Sequence, residues 1–267
     1  MPLEPLELLQ AGPVARILID HPQRRNAFTR AMWRALPALV ARALDDPRTR
    51  VVTLASAHAG LFVAGADISE FEDTYTRPGE AAVATREIQD AVDALAACPL
   101  PVVAVIDGAC VGGGVSLAIA CDLRIASDRA RFAVKPARLG LSYHPDDLRR
   151  LVRVCGFADA SELLFAGQLW TADRALRSRL VNQVWPTQSL AAEAATLMSA
   201  IAENSDDAVR SIKQGLRAVA DRDPGALEQA GRKFLDLFDG PDFIEGRDAF
   251  LQKRAARFPS HHAPSRP

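Results

Sequence analysis

The chain has 267 residues, 49% of them hydrophobic, with 32 Lys and Arg against 33 Asp and Glu and a net charge of −1. That length suits one large domain, or one domain with a small appendage, and supplies a substantial core. The near-neutral balance argues against a nucleic-acid footprint over the whole surface, and no uncharged apolar run is long enough to span a bilayer. Cys98, Cys110, Cys121 and Cys155 show no Cys-x-x-Cys spacing and lie in apolar contexts. They read as buried thiols of a reducing compartment, not as disulfides or a zinc site. The opening Met1-Pro-Leu-Glu-Pro-Leu-Glu7 has no basic stretch followed by an apolar one. No secretory signal is read there, and a cytoplasmic protein is expected.

In chain order, residues 14–20 (VARILID) read as a strand closed by the His21-Pro22 turn. Thr29 can cap a helix to about Leu44, with a kink expected at Pro37. Residues 51–57 read as a buried strand that leads straight into a turn over 62–68. An Ala-rich helix over 80–97 ends at Cys98-Pro99-Leu100-Pro101, because prolines so placed cannot continue it. Residues 102–106 (VVAVI) form a continuous apolar run, the pattern of a strand covered on both faces. A helix follows over 114–121, then short strands over 123–126 and 131–134. Beyond Pro145 helices dominate: Thr171 caps one over 172–179, and others span 189–203, 205–219 and 224–238, with one strand over 181–184. Strand and helix alternate first and helices follow, which is the pattern of an α/β core with a C-terminal helical extension. Residues 258–267, rich in Pro, Ser and His, are expected to be disordered.

Two turns carry the chemistry. Ala64-Gly65-Ala66-Asp67-Ile68 and Gly108-Ala109-Cys110-Val111-Gly112-Gly113-Gly114 each put nearly side-chain-free backbone at the exit of a buried strand. Two peptide N–H groups converging there on one oxygen form an oxyanion hole. The alternative is that the glycines only permit tight strand–helix packing. No Gly-Lys-Ser/Thr follows Gly108, and the glycine spacing does not fit a dinucleotide fingerprint. Almost no carboxylate is expected near either turn. Asp67 reads as holding its turn, and Asp122 as a structural residue at a strand start.

The segments Arg24-Arg25-Asn26-Ala27, 62–68 (FVAGADI), 105–114 (VIDGACVGGG) and 120–126 (ACDLRIA) occur in one order. Leu139-Gly140-Leu141, Glu162-Leu163-Leu164-Phe165, Ala172 and Ala175 with Leu180-Val181-Asn182, and 245–250 (EGRDAF) follow in that order. Together they resemble the crotonase superfamily, the enoyl-CoA hydratases and isomerases, over roughly residues 12–255. The resemblance implies an α/β, crotonase-like (ClpP/crotonase) core of repeated β-β-α units over 1–195, a helical trimerisation region over 196–257 and the tail over 258–267. It implies that the N–H groups of Ala66 and Gly113 bind the thioester oxygen of an acyl-CoA, with no other cofactor and no metal. It places coenzyme A near Arg24, Arg25, Ala64, Asp67 and Ile68, with Lys213, Phe250 and Lys253 around the adenine and 3′-phosphate, often from a neighbouring subunit. It also implies a homotrimer or a hexamer built as a dimer of trimers. The apolar stripe Ala208, Ile212, Leu216 and Val219 suits such burial. No nucleic-acid or membrane partner is expected.

The chain departs from the family at the two glutamates that hydratases use to share a water. Those positions carry Ser116 and Pro136. An unactivated serine is no general base at neutral pH and proline has no titratable group, so two-glutamate hydration is not expected. Candidate replacements lie in Leu141-Ser142-Tyr143-His144-Pro145-Asp146-Asp147. Tyr143, His144 and Asp146 are the candidate acid/base groups. The blander reading is an ordinary helix N-terminus, where acidic residues suit the dipole. Decarboxylase-like relatives tend to carry a histidine where this chain has Ala66, and His58 reads as a surface residue. The readings left open are an enolate-forming hydratase/isomerase-family enzyme, whether isomerase, decarboxylase or C–C lyase, and a catalytically silent acyl-CoA binder. An RNA-binding role would need a basic helix that the chain lacks.

Overall fold

The structure is a computed structural model that describes residues 5–71, 76 and 79–261. Its larger sheet has six strands in the order β1-β2-β3-β5-β7-β10. These are β1 (Leu6–Ala11), β2 (Val14–Ile19), β3 (Val51–Ser56), β5 (Val102–Ile106), β7 (Leu123–Ser127) and β10 (Gln183–Trp185). A smaller sheet pairs β4 (Leu61–Val63), β6 (Ala109–Val111), β8 (Arg131–Ala133) and β9 (Trp170–Thr171) in that order. Strands β2, β3, β5, β7 and β10 run parallel, as do β4, β6 and β8, while β1 and β9 are antiparallel edges.

The repeating unit follows from this pairing. β5 enters the larger sheet, β6 turns into the smaller one, and a helix closes the unit: α3 (Gly113–Ala120). β3 and β4 precede α2 (Glu80–Ala97) in the same way, and β7 and β8 precede α4 (Pro145–Ala166), which breaks at Gly156 (φ 78, ψ 167). The remaining helices are α1 (Arg30–Asp45), α5 (Ala172–Arg177), α6 (Leu190–Ala202), α7 (Asp206–Asp221), α8 (Pro224–Asp236) and α9 (Pro241–Leu251).

The continuous apolar run of β5 is explained by two-sided cover. Val102, Ala104 and Ile106 face a core with Leu36, Leu95 and Leu117, while Val103 faces Val51, Ile125 and Met198 under α6. Alternate residues of a strand point to opposite faces, so both sets must be apolar. Thr29 caps α1 by accepting from the Met32 N–H, and α1 continues through Pro37. Leu36, Leu39 and Val40, all buried, flank that proline, and their packing favours the uninterrupted helix.

Four strands lie outside the expected set: β1, β4, β6 and β9. Residues 6–11 (LELLQA) carry little β-branched signal and are held by the full antiparallel ladder with β2. The strand expected over 181–184 falls two residues later, because Val181 is buried in the core and pairing with β7 begins at Gln183. The expectation of a disordered tail is corrected for residues 258–261. Pro259–His261 forms a 3₁₀ turn, where Ser260 N donates to Asp242 Oδ1 (2.9 Å) and Arg50 Nη2 donates to the Ser260 carbonyl (3.2 Å). Residues 262–267 lie outside the described residues. No described helix is long and apolar enough to cross a membrane.

Candidate active site

The two small-residue turns meet. Phe28 N donates to the Gly65 carbonyl and Asp67 N to the Phe28 carbonyl, both at 2.8 Å, so Phe28 and Ala66 form a parallel bridge. Successive peptide groups of an extended segment alternate in direction, which turns the Ala66 N–H away from Phe28. On the other turn Gly112 N donates to the Ala133 carbonyl at 2.8 Å, and Gly113 is the first residue of α3. Its N–H belongs to the orphan donors of a helix start, where the helix dipole favours negative charge. A Cβ built on Gly113 would lie 3.8 Å from Ala66 N, and one on Gly65 4.0 Å from Gly113 N. The two donors therefore border one small space. Gly65 has φ 109, a conformation that a side chain would strain.

Trp33 from α1 lies against this space. Its Cζ2 is 3.0 Å from where a Gly113 Cβ would be, and its ring packs on Phe28 with centroids 4.5 Å apart. The expectation that almost no carboxylate stands nearby needs correction. Glu70 accepts from the Arg30 N–H at 2.8 Å, and Arg30 pairs with Glu87 (2.8 Å) and Glu80 (2.9 Å). Ala66, Trp33, Arg30 and Glu70 line one small cleft. These carboxylates are engaged by Arg30 or the start of α1. Asp67 caps the 3₁₀ turn Ile68–Glu70, accepting from Ser69 N (2.9 Å) and Oγ (2.7 Å). Burial opposes its ionisation, but the Ser69 bonds and the Arg24 charge outweigh that and lower its pKa.

One turn along α3 from Gly113, Ser116 is 2% exposed, and its Oγ lies 2.6 Å from the Tyr143 hydroxyl. This contact joins the position of the missing glutamate to the loop before α4. Burial pushes the Tyr143 phenol well up and the Asp147 charge adds to this, while the Ser116 hydrogen bond acts the other way. The phenol stays neutral and keeps its proton. Pro136 opens the 3₁₀ turn Pro136–Leu139. His144 is the N-cap of α4, its Nδ1 accepting from Asp146 N at 3.3 Å. The cap engages Nδ1 of His144 with the start of α4. The Asp146 carboxylate lies 3.6 Å from that Nδ1 and 3.8 Å from Arg149.

Several of the expected coenzyme A residues gather at one edge. Arg24 Nε is 4.0 Å from Asp67 Oδ2, and Ala64 N donates to the Arg25 carbonyl at 3.3 Å. Ile68 is exposed beside them. Lys213 is elsewhere and differs from expectation. It is buried, donates to the Leu100 carbonyl at 2.6 Å and pairs with Asp122. Its ammonium ties α7 to the start of β7. Phe250 is exposed at the end of α9, and Lys253 follows in a left-handed conformation (φ 55). Because α9 packs against residues 237–239 and 259–261, the single chain does not join these two to the Arg24 edge. The sequence reading missed Trp33, Arg30 and Glu70. The only local sign of them is that Arg30 and Trp33 are one helical turn apart.

Repeated β-β-α units that feed two sheets, with glycine turns at adjacent strand exits, define a crotonase-type fold. The chain belongs to the enoyl-CoA hydratase/isomerase family, which it matches over residues 10–261. It is 31% identical to the short-chain-enoyl-CoA hydratase of Clostridium acetobutylicum, covering 95% of this chain and 97% of that protein. It is 33% identical to the human mitochondrial Delta(3,5)-Delta(2,4)-dienoyl-CoA isomerase, covering 76% of this chain and 65% of that one. Among solved structures it superposes with a TM-score of 0.90 on an enoyl-CoA hydratase from Bacillus anthracis at 27% identity, covering 96% of this chain and 100% of that one. The same TM-score holds for an enoyl-CoA hydratase/carnithine racemase from Magnetospirillum magneticum at 32% identity, covering 97% and 96%.

Proposed function

We propose that this protein is an acyl-CoA lyase that forms a thioester enolate between the N–H groups of Ala66 and Gly113 and protonates it from Tyr143. The observation that carries this reading is the 2.6 Å Ser116–Tyr143 contact at the place where relatives would put a carboxylate. A phenol that keeps its proton can give one but cannot begin by taking one. It suits a reaction whose enolate arises without a base, and loss of CO2 from a malonyl-type thioester is such a reaction. The C–COO⁻ bond breaks, its electron pair moves onto the thioester as the enolate, and CO2 leaves. The Cα then takes the Tyr143 proton, and the phenolate is reprotonated from water. Two donors aimed at the developing oxyanion lower the barrier most where water is excluded. Two-glutamate hydration has no equivalent here, because Ser116 and Pro136 hold the two positions.

The test is incubation in D2O with malonyl-CoA, butyryl-CoA and crotonyl-CoA, with products read by mass spectrometry. CO2 loss with one deuterium at Cα, abolished in Tyr143→Phe, is the expected result. Hydration of crotonyl-CoA at a catalytic rate would overturn the reading. No turnover of any thioester shown to bind would mark a silent binder.

A further inference from the structure

We propose that Asp147, held by Arg150, is a positioning residue that anchors the start of α4 and so fixes the Tyr143 hydroxyl on Ser116. The proposal rests on Tyr143 being the donor. Asp147 and Arg150 are among the most enclosed charged groups of the fold, at 2% and 4% exposure. Arg150 Nη1 lies 3.2 Å from Asp147 Oδ1, and its other amino group pairs with Asp93 on α2. The cluster thus clamps the first turn of α4 onto α2. Tyr143 immediately precedes His144, the cap of that helix, so its place is set by the same turn.

Burying the Asp147–Arg150 pair is costly, and well-packed apolar residues often serve stability as well. The arrangement makes sense if charge is needed at this spot. The groups around the phenol are Ser116 from α3, Cys110 from β6, and Asp147 and Arg150 from α4, with Asp93 of α2 acting through Arg150. Cys110 is completely buried and its thiol is held protonated by burial, so it adds no charge. Two carboxylates against one guanidinium leave one net negative charge in the cluster. A negative charge beside a phenol opposes phenolate. It therefore holds the proton before the reaction and draws one back from water afterwards.

The chain has two tyrosines, Tyr75 and Tyr143, so a Tyr75→Phe parent reports Tyr143 alone in the tyrosinate absorbance band. In that parent, Asp147→Asn is expected to lower the alkaline midpoint by about one pH unit. Asp93→Asn, at the solvent end of the cluster, is expected to lower it too, and serves if Asp147→Asn does not fold. Midpoints left unchanged or raised would overturn the proposal. In turnover of malonyl-CoA, Arg150→Gln is expected to reduce kcat by about tenfold or more with KM unchanged, and Arg150→Lys to recover part of it. Unchanged kcat in Arg150→Gln would also overturn it. Full turnover by Tyr143→Phe would sink the donor role itself, while the titration would still report the Asp147–Tyr143 coupling.

Discussion

Removing either hydroxyl of the Ser116–Tyr143 pair should be costly alone and no more costly together. Ser116 Oγ is buried and meets the Tyr143 hydroxyl at 2.6 Å. In Tyr143→Phe the serine hydroxyl keeps its place but loses its partner, and in Ser116→Ala the phenol loses its own. An orphaned buried hydroxyl costs about 1–3 kcal/mol, whereas replacing both partners by apolar groups of similar shape is close to neutral. Each single variant should therefore lose about 1.5 kcal/mol. The double variant should lose less than either single, far short of the roughly 3 kcal/mol that additivity requires, a coupling of about 1.5 kcal/mol or more. For a chain of this size each kcal/mol moves the melting temperature by about 2–4 °C. Urea unfolding of the four proteins gives the cycle. Strictly additive losses would show that the two hydroxyls do not meet and would remove the geometric basis for the donor. Turnover adds an independent reading: Tyr143→Phe should lose about 10²–10⁴-fold and Ser116→Ala clearly less.

Gly113→Ala would bring a Cβ to 3.0 Å from Trp33 Cζ2 and 3.8 Å from Ala66 N, crowding the oxyanion. Turnover should fall by about 10²-fold or more with a far smaller loss of stability, and a fully active variant would refute the assignment of that N–H. Asp107, which precedes the Gly108 turn, is held at about 2: burial opposes ionisation, but hydrogen bonds from Arg129, Gly60 N and Ser127 outweigh it. Its folded pKa lies below the unfolded one, so the stability it adds is full above about pH 4 and is lost as pH falls toward about 2. Acid unfolding of Asp107→Asn should lack that component. Ile212, Leu216 and Val219 on α7 are each more than 60% exposed in the single chain. A trimer or a dimer of trimers is expected in light scattering, and a stable monomer would contradict it.

Much of the fold is legible because its local signals agree. The helix over 80–97 is read at its actual bounds, since Ala-rich periodicity stops at the Pro99 and Pro101 breaks. The strand over 102–106 is likewise marked by apolar residues on both faces. The crotonase-type order of motifs and the glycine turns are also visible, because each turn depends on residues adjacent in sequence. What is not visible depends on docking between distant segments. Ser116 and Tyr143 are 27 positions apart and meet only where the loop before α4 lies over α3. Lys213 is expected near the coenzyme A phosphates, since its partner Asp122 is 91 positions away and the burial of Lys213 follows from how α7 lands. The carboxylates around Arg30 are hidden in the same way, as the turn at Ile68–Glu70 and α2 bring them to α1 from separate segments.

The central claim is that two peptide N–H groups polarise a thioester carbonyl, and isotope-edited infrared spectroscopy reads this directly. Butyryl-CoA labelled with ¹³C at the carbonyl should show a carbonyl stretch at lower frequency when bound than when free. The shift should shrink in Gly113→Ala with binding retained. A bound carbonyl band at the free frequency would contradict the oxyanion hole of Ala66 and Gly113.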